Sequence, residues 1–250
     1  MKILVTGATG FIGSSLVPLL KQDGHDVWQA VRYVSGGRYA FYHMENRVFM
    51  DLRDSREVHE AVAKVKPEII INLAAQSAVS YSFQHQEESA EVNYMGVVRL
   101  VESALEVSAH FIQASTSEVY AREQKGFPVK EDAPLGSTSP YAAQKIAAEE
   151  YIRSRAAASG LRFTITRPFN TISRSTVGNP HFVVERAITQ ALQEGRIHLH
   201  DALPRRDFVF RDDHVSAYRF IVEQLNGPMA DDMVNRTFNV CTGDCWSILR

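Results

Sequence analysis

The chain has 250 residues, 45% of them hydrophobic and 22% charged, with a formal net charge of −2; this is the balance of one soluble α/β domain, or of such a domain with a small annex. The near-neutral charge excludes a bulk electrostatic case for nucleic acid or an anionic membrane, so any anionic ligand must be held by local groups. Two cysteines, Cys241 and Cys245, are too few for a disulfide scaffold and read as buried thiols in a reducing cytoplasm; as metal ligands they would need more donors than His214 supplies, so no metal is expected.

The opening MKILVTGATGFIGSSLVPLL is apolar but lacks a small-residue cleavage site, and glycines interrupt it at fixed spacing. It reads as strand, turn and helix rather than as a signal peptide. No apolar run is long enough for a membrane span. The strand covers residues 2–6 and the helix residues 11–22, stopped by Asp23-Gly24. A second strand follows over 25–31, a loop over 33–42, a third strand over 47–51 and a helix over 55–64. After Pro67 comes EIIINLAA, a continuous apolar strand that suits a parallel sheet covered on both faces. A long helix is predicted over 87–107, a strand over 110–114, a helix over 140–159 with Pro140 at its first position, and a strand over 162–167. Beyond Pro168 the rhythm loosens. A helix over 182–193 ends at Gly195, a short strand covers 197–200, a helix 212–225 and a last strand 237–241, and the terminal SILR reads as the first turn of another helix. This alternation predicts a Rossmann-type, doubly wound parallel sheet. Residues 1–167 form the dinucleotide-binding domain, and residues 168–250 a substrate-binding part interleaved with the last Rossmann strand and helix.

Gly7, Gly10 and Gly13 follow the first strand and open the first helix. Their spacing is GxxGxxG, not GxGxxG, but the physics is shared. Missing side chains let the backbone approach a pyrophosphate, and the helix N-terminus offers it free N–H groups. With Thr9, Phe11 and Ile12, this turn is the predicted dinucleotide cradle. The second strand ends in Ala30, Val31 and Arg32, with no carboxylate for a ribose diol. An arginine there pairs with a 2′-phosphate, which predicts NADP and leaves NAD open. Asp51 closes the next strand and either accepts from an adenine amine or caps the helix that follows. Leu52, Leu73, Ala74 and Ala75 complete the expected cofactor contacts at strand ends.

Tyr141 and Lys145 lie four apart in SPYAAQKIAAEE, on one face of a helix. An ammonium beside a phenol stabilises the phenolate, and the lowered pKa makes a base near neutral pH. Ligands of such sheets sit beyond the carboxyl ends of the strands. Thr116 and Glu118, just past the strand over 110–114, can therefore meet Tyr141 and Lys145.

TGATGFIG, NLAAQS, STSEVY and YAAQK together resemble the extended short-chain dehydrogenase/reductase family of nucleotide-sugar epimerases and dehydratases, along almost the whole chain. AAQSAVSYSF, ASTSEVY and VRYVSGGR are most similar to the GDP-mannose 4,6-dehydratases. The resemblance implies that Tyr141 takes the C4 hydroxyl proton as hydride leaves C4 for a nicotinamide. It implies that Lys145 lowers the tyrosine pKa and holds the nicotinamide ribose, that Thr116 hydrogen-bonds the same oxygen, and that Glu118 removes the C5 proton before water leaves C6. RPFN and RRDFVFRDDHV make Asn170 and Arg206 contacts of the substrate diphosphate, although Arg206 has a plain alternative in a surface network with Asp207. Ser77 and Ser117 are the other expected substrate contacts. A 4-epimerase or a uronate decarboxylase starts with the same C4 oxidation, and a catalytically idle redox sensor keeps only the dinucleotide. The family commonly dimerises through helices such as 87–107 and 140–159, where Val97, Leu100, Val101, Ile146 and Ile152 recur at helical spacing. Three departures stand out. FNTISRS replaces the family's FNxYGP, Ala121 replaces a glycine, and the chain stops before the family's last stretch, which implies a shortened or incomplete substrate part.

Overall fold

The computed structural model describes residues 1–32, 46–121, 128–173, 182–199 and 205–247. The loop expected over 33–42 and most of the terminal SILR lie outside them.

Short, nearly continuous apolar runs build the centre. Strands β1 (Lys2–Thr6), β2 (Asp26–Val31), β3 (Arg47–Phe49), β4 (Ile69–Asn72), β5 (His110–Ala114), β6 (Phe163–Pro168) and β10 (Arg236–Val240) form one sheet. Its order is β10-β6-β5-β4-β1-β2-β3, and every pairing is parallel. Alternation along a strand sends neighbours to opposite faces. Ile3 and Val5 join one buried cluster with Leu16, Leu20, Ile221 and Val222 of α1 (Gly13–Gln22) and α8 (Arg211–Leu225). Leu4 joins the other, with Val62 of α2 (Ser55–Val65), Leu100 of α5 (Gly96–Glu106) and Ile152 of α6 (Pro140–Ser159). A sheet covered on both faces is the doubly wound architecture that the alternation predicts. The strand order reverses between β1 and β4, which opens a crevice beyond their carboxyl ends.

Helix α2 starts where Asp54 accepts from the N–H groups of Arg56 at 2.9 Å and Glu57 at 3.1 Å. Asp54, not Asp51, is therefore the cap. Asp54→Ala should cost about 1 kcal/mol in a denaturant titration; an unchanged midpoint would contradict that role.

The predicted helix over 87–107 is more than one regular element. α3 (Val79–Gln84), which the sequence pattern does not signal, precedes α4 (Gln86–Ala90); a π-helical turn (Glu91–Met95) then leads into α5. The π-turn inserts one residue and changes which side chains face inward. Val97, Leu100 and Val101 are 0–1% exposed and Ile152 is fully buried, so these positions belong to the core rather than to an outer stripe.

The described residues of 168–250 divide between the main layers and two separate two-stranded sheets. α8 and β10 pack into the main layers, while β7 (Asn170–Ile172) pairs with β9 (Phe208–Phe210) and β8 (Arg205–Arg206) with β11 (Trp246–Ser247). α7 (Val183–Glu194) ends at Gly195, whose φ of 66° suits the left-handed cap. α9 (Ala230–Met233) is a single turn. Residues 197–199 are not a strand, and Ser247 lies in β11 rather than in a helical turn. Both deviations arise because local propensity is weak over so few residues and tertiary pairing decides.

Candidate active site

The glycine-rich turn touches the end of β4. Gly7 has φ of 61°, and a Cβ there would lie 2.8 Å from the amide nitrogen of Ala74 and 2.9 Å from the carbonyl carbon of Leu73. At Gly13 a Cβ would collide with the Gly7 carbonyl oxygen. Only glycine fits either place. The turn is half-open, with Thr9 and Gly10 exposed and Phe11 and Ile12 partly so. Among the described residues the amides of Phe11 and Ile12 have no protein acceptor, and no acidic side chain stands in the first turn of α1. This combination suits a pyrophosphate at a helix N-terminus. The cradle thus fits a dinucleotide.

The segment that follows β3 is held by charges. Asp51 takes Arg53 Nη2 at 2.7 Å and Arg53 Nε at 3.0 Å. The Arg53 hydrogen bond is the main cause that keeps its carboxyl below the usual range. The backbone of Asp51 donates to Glu57 at 2.8 Å, and Arg99 holds the Leu52 carbonyl at 2.9 Å. Gly96 in α5 leaves room for buried Leu52. Arg32 is exposed at the end of β2 and acts on Asp51 through its charge.

Buried polar side chains cross the strand ends. Thr6 donates to Asn72 at 2.5 Å, Asn72 to Gln113 at 2.9 Å, and Gln113 to the Ala114 carbonyl at 2.6 Å. Lys145 Nζ donates to the same carbonyl at 2.9 Å. The row links the cofactor turn, through the Ala74 amide on Thr6, to the helix that carries the expected base.

Helix α6 opens at Ser139, whose hydroxyl accepts from the Ala142 amide, with Pro140 in the first turn. Tyr141 and Lys145 are then almost fully buried, at 7% and 2% exposure. Thr116 caps a 3₁₀ turn (Ser117–Val119) and hydrogen-bonds the Tyr141 hydroxyl. Glu118 is exposed within this turn, and its charge reaches Tyr141. The structure therefore brings Thr116, Glu118, Tyr141 and Lys145 together.

The electrostatics correct one expectation. Burial pushes the Tyr141 phenol up to about 12; the Thr116 hydrogen bond works against this and Glu118 adds to it. Burial brings Lys145 down to about 8, while the charge of Glu149 pulls it back up. The ammonium lies 5.9 Å from the Tyr141 ring centroid and is directed at a carbonyl. In this arrangement desolvation outweighs any effect of a cation held at that distance, and the phenol stays above its ordinary range.

Two supports of α6 escaped the sequence. Ser82 on α3 accepts from the Tyr141 amide at 3.2 Å. Asn93, in the π-turn, accepts from the Gln76 amide at 2.9 Å and donates to the Gln76 carbonyl at 3.0 Å and to Gln144 at 2.9 Å. The available signal was an asparagine within an otherwise amphipathic helix, three residues before a glycine. Ser77 is exposed beside this clamp, and Ser117 is half-buried.

Of the two expected diphosphate contacts, Asn170 donates its amide at 3.1 Å to the carbonyl of Asp207, the residue next to Arg206 in sequence. The Asp207 carboxylate is occupied by the amides of Thr242 at 2.9 Å and Gly243 at 2.7 Å. The Arg206–Asp207 surface network is thus absent, and no carboxylate among the described residues pairs with Arg206. Across the strand pair from Arg206 is Trp246. It helps line an apolar cavity of about 410 Å³ with Val183, Ala187, Ile188, Ile197 and Phe208. Cys241 and Cys245 are unpaired and only half-buried. His214 bonds Thr171 at 2.8 Å, and burial lowers its pKa to about 4.

A parallel sheet with a glycine turn at its crevice and a Thr–Tyr–Lys group at the neighbouring strand ends defines a dinucleotide-linked enzyme of the extended short-chain dehydrogenase/reductase class. The chain belongs to the NAD dependent epimerase/dehydratase family, whose sequence model matches residues 3–241. It is 34% identical over 252 residues to the UDP-glucose 4-epimerase of Mycolicibacterium smegmatis, an alignment that covers 97% of this chain and 78% of the epimerase. It is 38% identical over 160 residues to the GDP-mannose 4,6-dehydratase of Vibrio cholerae, covering 58% of this chain and 43% of the dehydratase. The crystal structure of the Thermotoga maritima UDP-glucose 4-epimerase with UDP-glucose superposes with a TM-score of 0.86 at 28% identity, over 100% of this chain and 79% of that one. No helix among the described residues is long and apolar enough to cross a membrane.

Proposed function

We propose that the protein is a nucleotide-sugar 4,6-dehydratase of the GDP-mannose type that works with bound NADP. The observation that carries this reading is Glu118, whose exposed carboxylate stands within electrostatic reach of the Tyr141 hydroxyl. When bound, the oxidised nicotinamide supplies a hydride acceptor and a positive charge beside the phenol. Thr116 and Tyr141 hold the C4 oxygen between their hydroxyls, and Tyr141 takes its proton. Lys145, anchored on Ala114, keeps a positive charge in the same buried space. A C4 ketone acidifies the C5 hydrogen, and Glu118 is placed to remove it. Arg206 and Asn170 hold the diphosphate, an arginine fork being suited to that group. The apolar cavity beside Trp246 receives the base.

A 4-epimerase is the second reading, supported by the extent of the alignment with the Mycolicibacterium epimerase. Running the reaction in deuterated water separates the two. The dehydratase acquires deuterium at C5; the epimerase does not, and a product free of deuterium would remove the proposal.

The NADP assignment rests on Arg32. Arg32→Ala should weaken NADP binding about 10-fold or more and leave NAD binding nearly unchanged, as loss of one charged hydrogen bond to phosphate implies. Tighter binding of NAD than of NADP by the unaltered protein would reverse the assignment.

A homodimer through the outer faces of α5 and α6 belongs to the same reading. Tyr94 and Tyr151 meet edge-on there, Arg155 and Glu102 pair at 2.8 Å, and Ile146 is part-exposed. Light scattering at micromolar concentration should give twice the chain mass; a monomer mass would count against the pairing.

A further inference from the structure

Glu149 is fully buried, one helical turn beyond Lys145 on α6. A buried carboxylate is costly unless it is paired and hydrogen-bonded, and this one is both. Arg167, on β6 and only 2% exposed, grips it through Nε at 3.0 Å and Nη2 at 2.6 Å. Arg153 adds a contact at 3.0 Å. The Ser115 hydroxyl donates to it at 2.5 Å, and Ser115 directly precedes Thr116. Arg167 is fixed in turn: it donates to the Tyr120 hydroxyl at 3.1 Å and to the Glu131 carbonyl at 2.9 Å, with its guanidinium 4.9 Å from the Tyr120 ring centroid. One carboxylate thus ties the strand that leads to Thr116 to the helix that bears Tyr141 and Lys145.

We propose that Glu149 is a positioning residue of this centre: clamped by Arg167, it fixes Ser115 beside Thr116 and serves as the buried counter-charge of Lys145. The proposal rests on the catalytic reading of Tyr141 and Lys145 but concerns a different group. Tyr141 and Glu149 lie one turn to either side of Lys145 on its own helix, and its ammonium donates to the Ala114 carbonyl of β5. The π-turn and α4 present Asn93 and Ser89 to Gln144 rather than to the ammonium. Glu149 is the charged group that acts on Lys145, and it favours the protonated form. Removing its charge lets burial take the lysine lower. Glu149 itself is pushed up by burial, but the Arg167 hydrogen bond and charge outweigh this and hold it below the ordinary carboxylate range.

The test follows the Lys145 ammonium through pH by nitrogen-label NMR, its signal being identified by its loss in Lys145→Arg. This readout needs no turnover. Glu149→Gln alone leaves Arg167 buried without its partner and risks misfolding, so the working variant is Glu149→Gln with Arg167→Met. A pair removed together is tolerated far better than a pair broken. The midpoint, near 8 in the unaltered protein, should move down by about one pH unit in the double variant. Arg167→Met alone retains the carboxylate, and there the midpoint should hold or rise. An unmoved midpoint in the double variant, or an equal fall in both, would overturn the proposal. Full activity in Tyr141→Phe would instead strike the catalytic reading and leave the Lys145–Glu149 coupling to be judged by the titration.

Discussion

Tyr141→Phe is expected to lose turnover on the order of 1000-fold, within the range for removal of a general acid–base group, while fold and dinucleotide affinity stay near those of the unaltered protein. The hydroxyl is the only part of the side chain that the change removes. The ring is buried, so its packing survives the substitution. The Thr116 hydroxyl loses its bond to the phenol but keeps the Glu118 amide as a donor at 3.2 Å. Circular dichroism and NADP titration check the first half of the statement, and a turnover assay checks the second. Near-normal turnover would remove Tyr141 from the chemistry. The pH dependence carries a sign as well. The phenol is pushed up to about 12 and the ammonium down to about 8. Activity that needs the phenol deprotonated and the ammonium charged therefore rises with pH up to about 8 and levels off above it, where the gain in phenolate is offset by loss of the Lys145 proton. Added neutral salt should do little to that limb, because both groups are buried and poorly screened.

Glu118→Gln should lower dehydration about 100-fold through loss of a general base at C5. The amide keeps the size of the side chain and its hydrogen-bonding capacity but cannot take a proton. The C4 centre should still be oxidised, since Tyr141, Thr116 and Lys145 are untouched, whereas exchange of the C5 hydrogen with solvent should stop. The 3₁₀ turn should persist, because its cap is the Thr116 hydroxyl and the Glu118 backbone amide rather than the carboxylate. Because Glu118 raises the Tyr141 phenol through its charge, the glutamine variant should also titrate Tyr141 at a lower pH. Normal dehydration by this variant would assign the C5 base elsewhere.

Much of this site was legible because its signals are local. The turn between β1 and α1 is announced by glycines that the backbone needs: Gly7 for its positive φ, and Gly7 and Gly13 for lack of space. The sheet strands are short apolar runs, and α6 carries its own start signal in Ser139-Pro140. Spacing placed Tyr141 and Lys145 on one face, but it could not say where the ammonium points. That direction is set by the Ala114 carbonyl on another strand, and burial then reverses the expected shift of the phenol. Asp51 was misread as a possible cap because the choice between Asp51 and Asp54 depends on where α2 starts, a boundary that pattern alone blurs. The π-turn around Asn93, and the strand pairs β7–β9 and β8–β11, come from tertiary contacts between segments far apart in sequence. The Glu149–Arg167 pair was invisible for the same reason, since a helix position and a strand position meet there only once the sheet is formed. Of the five apolar positions singled out on the long helices, Val97, Leu100, Val101 and Ile152 lie in the core and Ile146 is part-exposed, because helical periodicity marks an apolar face without saying what covers it.

The central claim is that this chain removes water from a nucleotide sugar, and one measurement tests it most directly. Incubate the purified protein and NADP with a panel of nucleotide sugars that includes GDP-mannose, and weigh each product by mass spectrometry. The account predicts a product lighter than its substrate by one water, formed from GDP-mannose and lost in Glu118→Gln. A product of unchanged mass but altered chromatographic position, or one lighter by carbon dioxide, would contradict it.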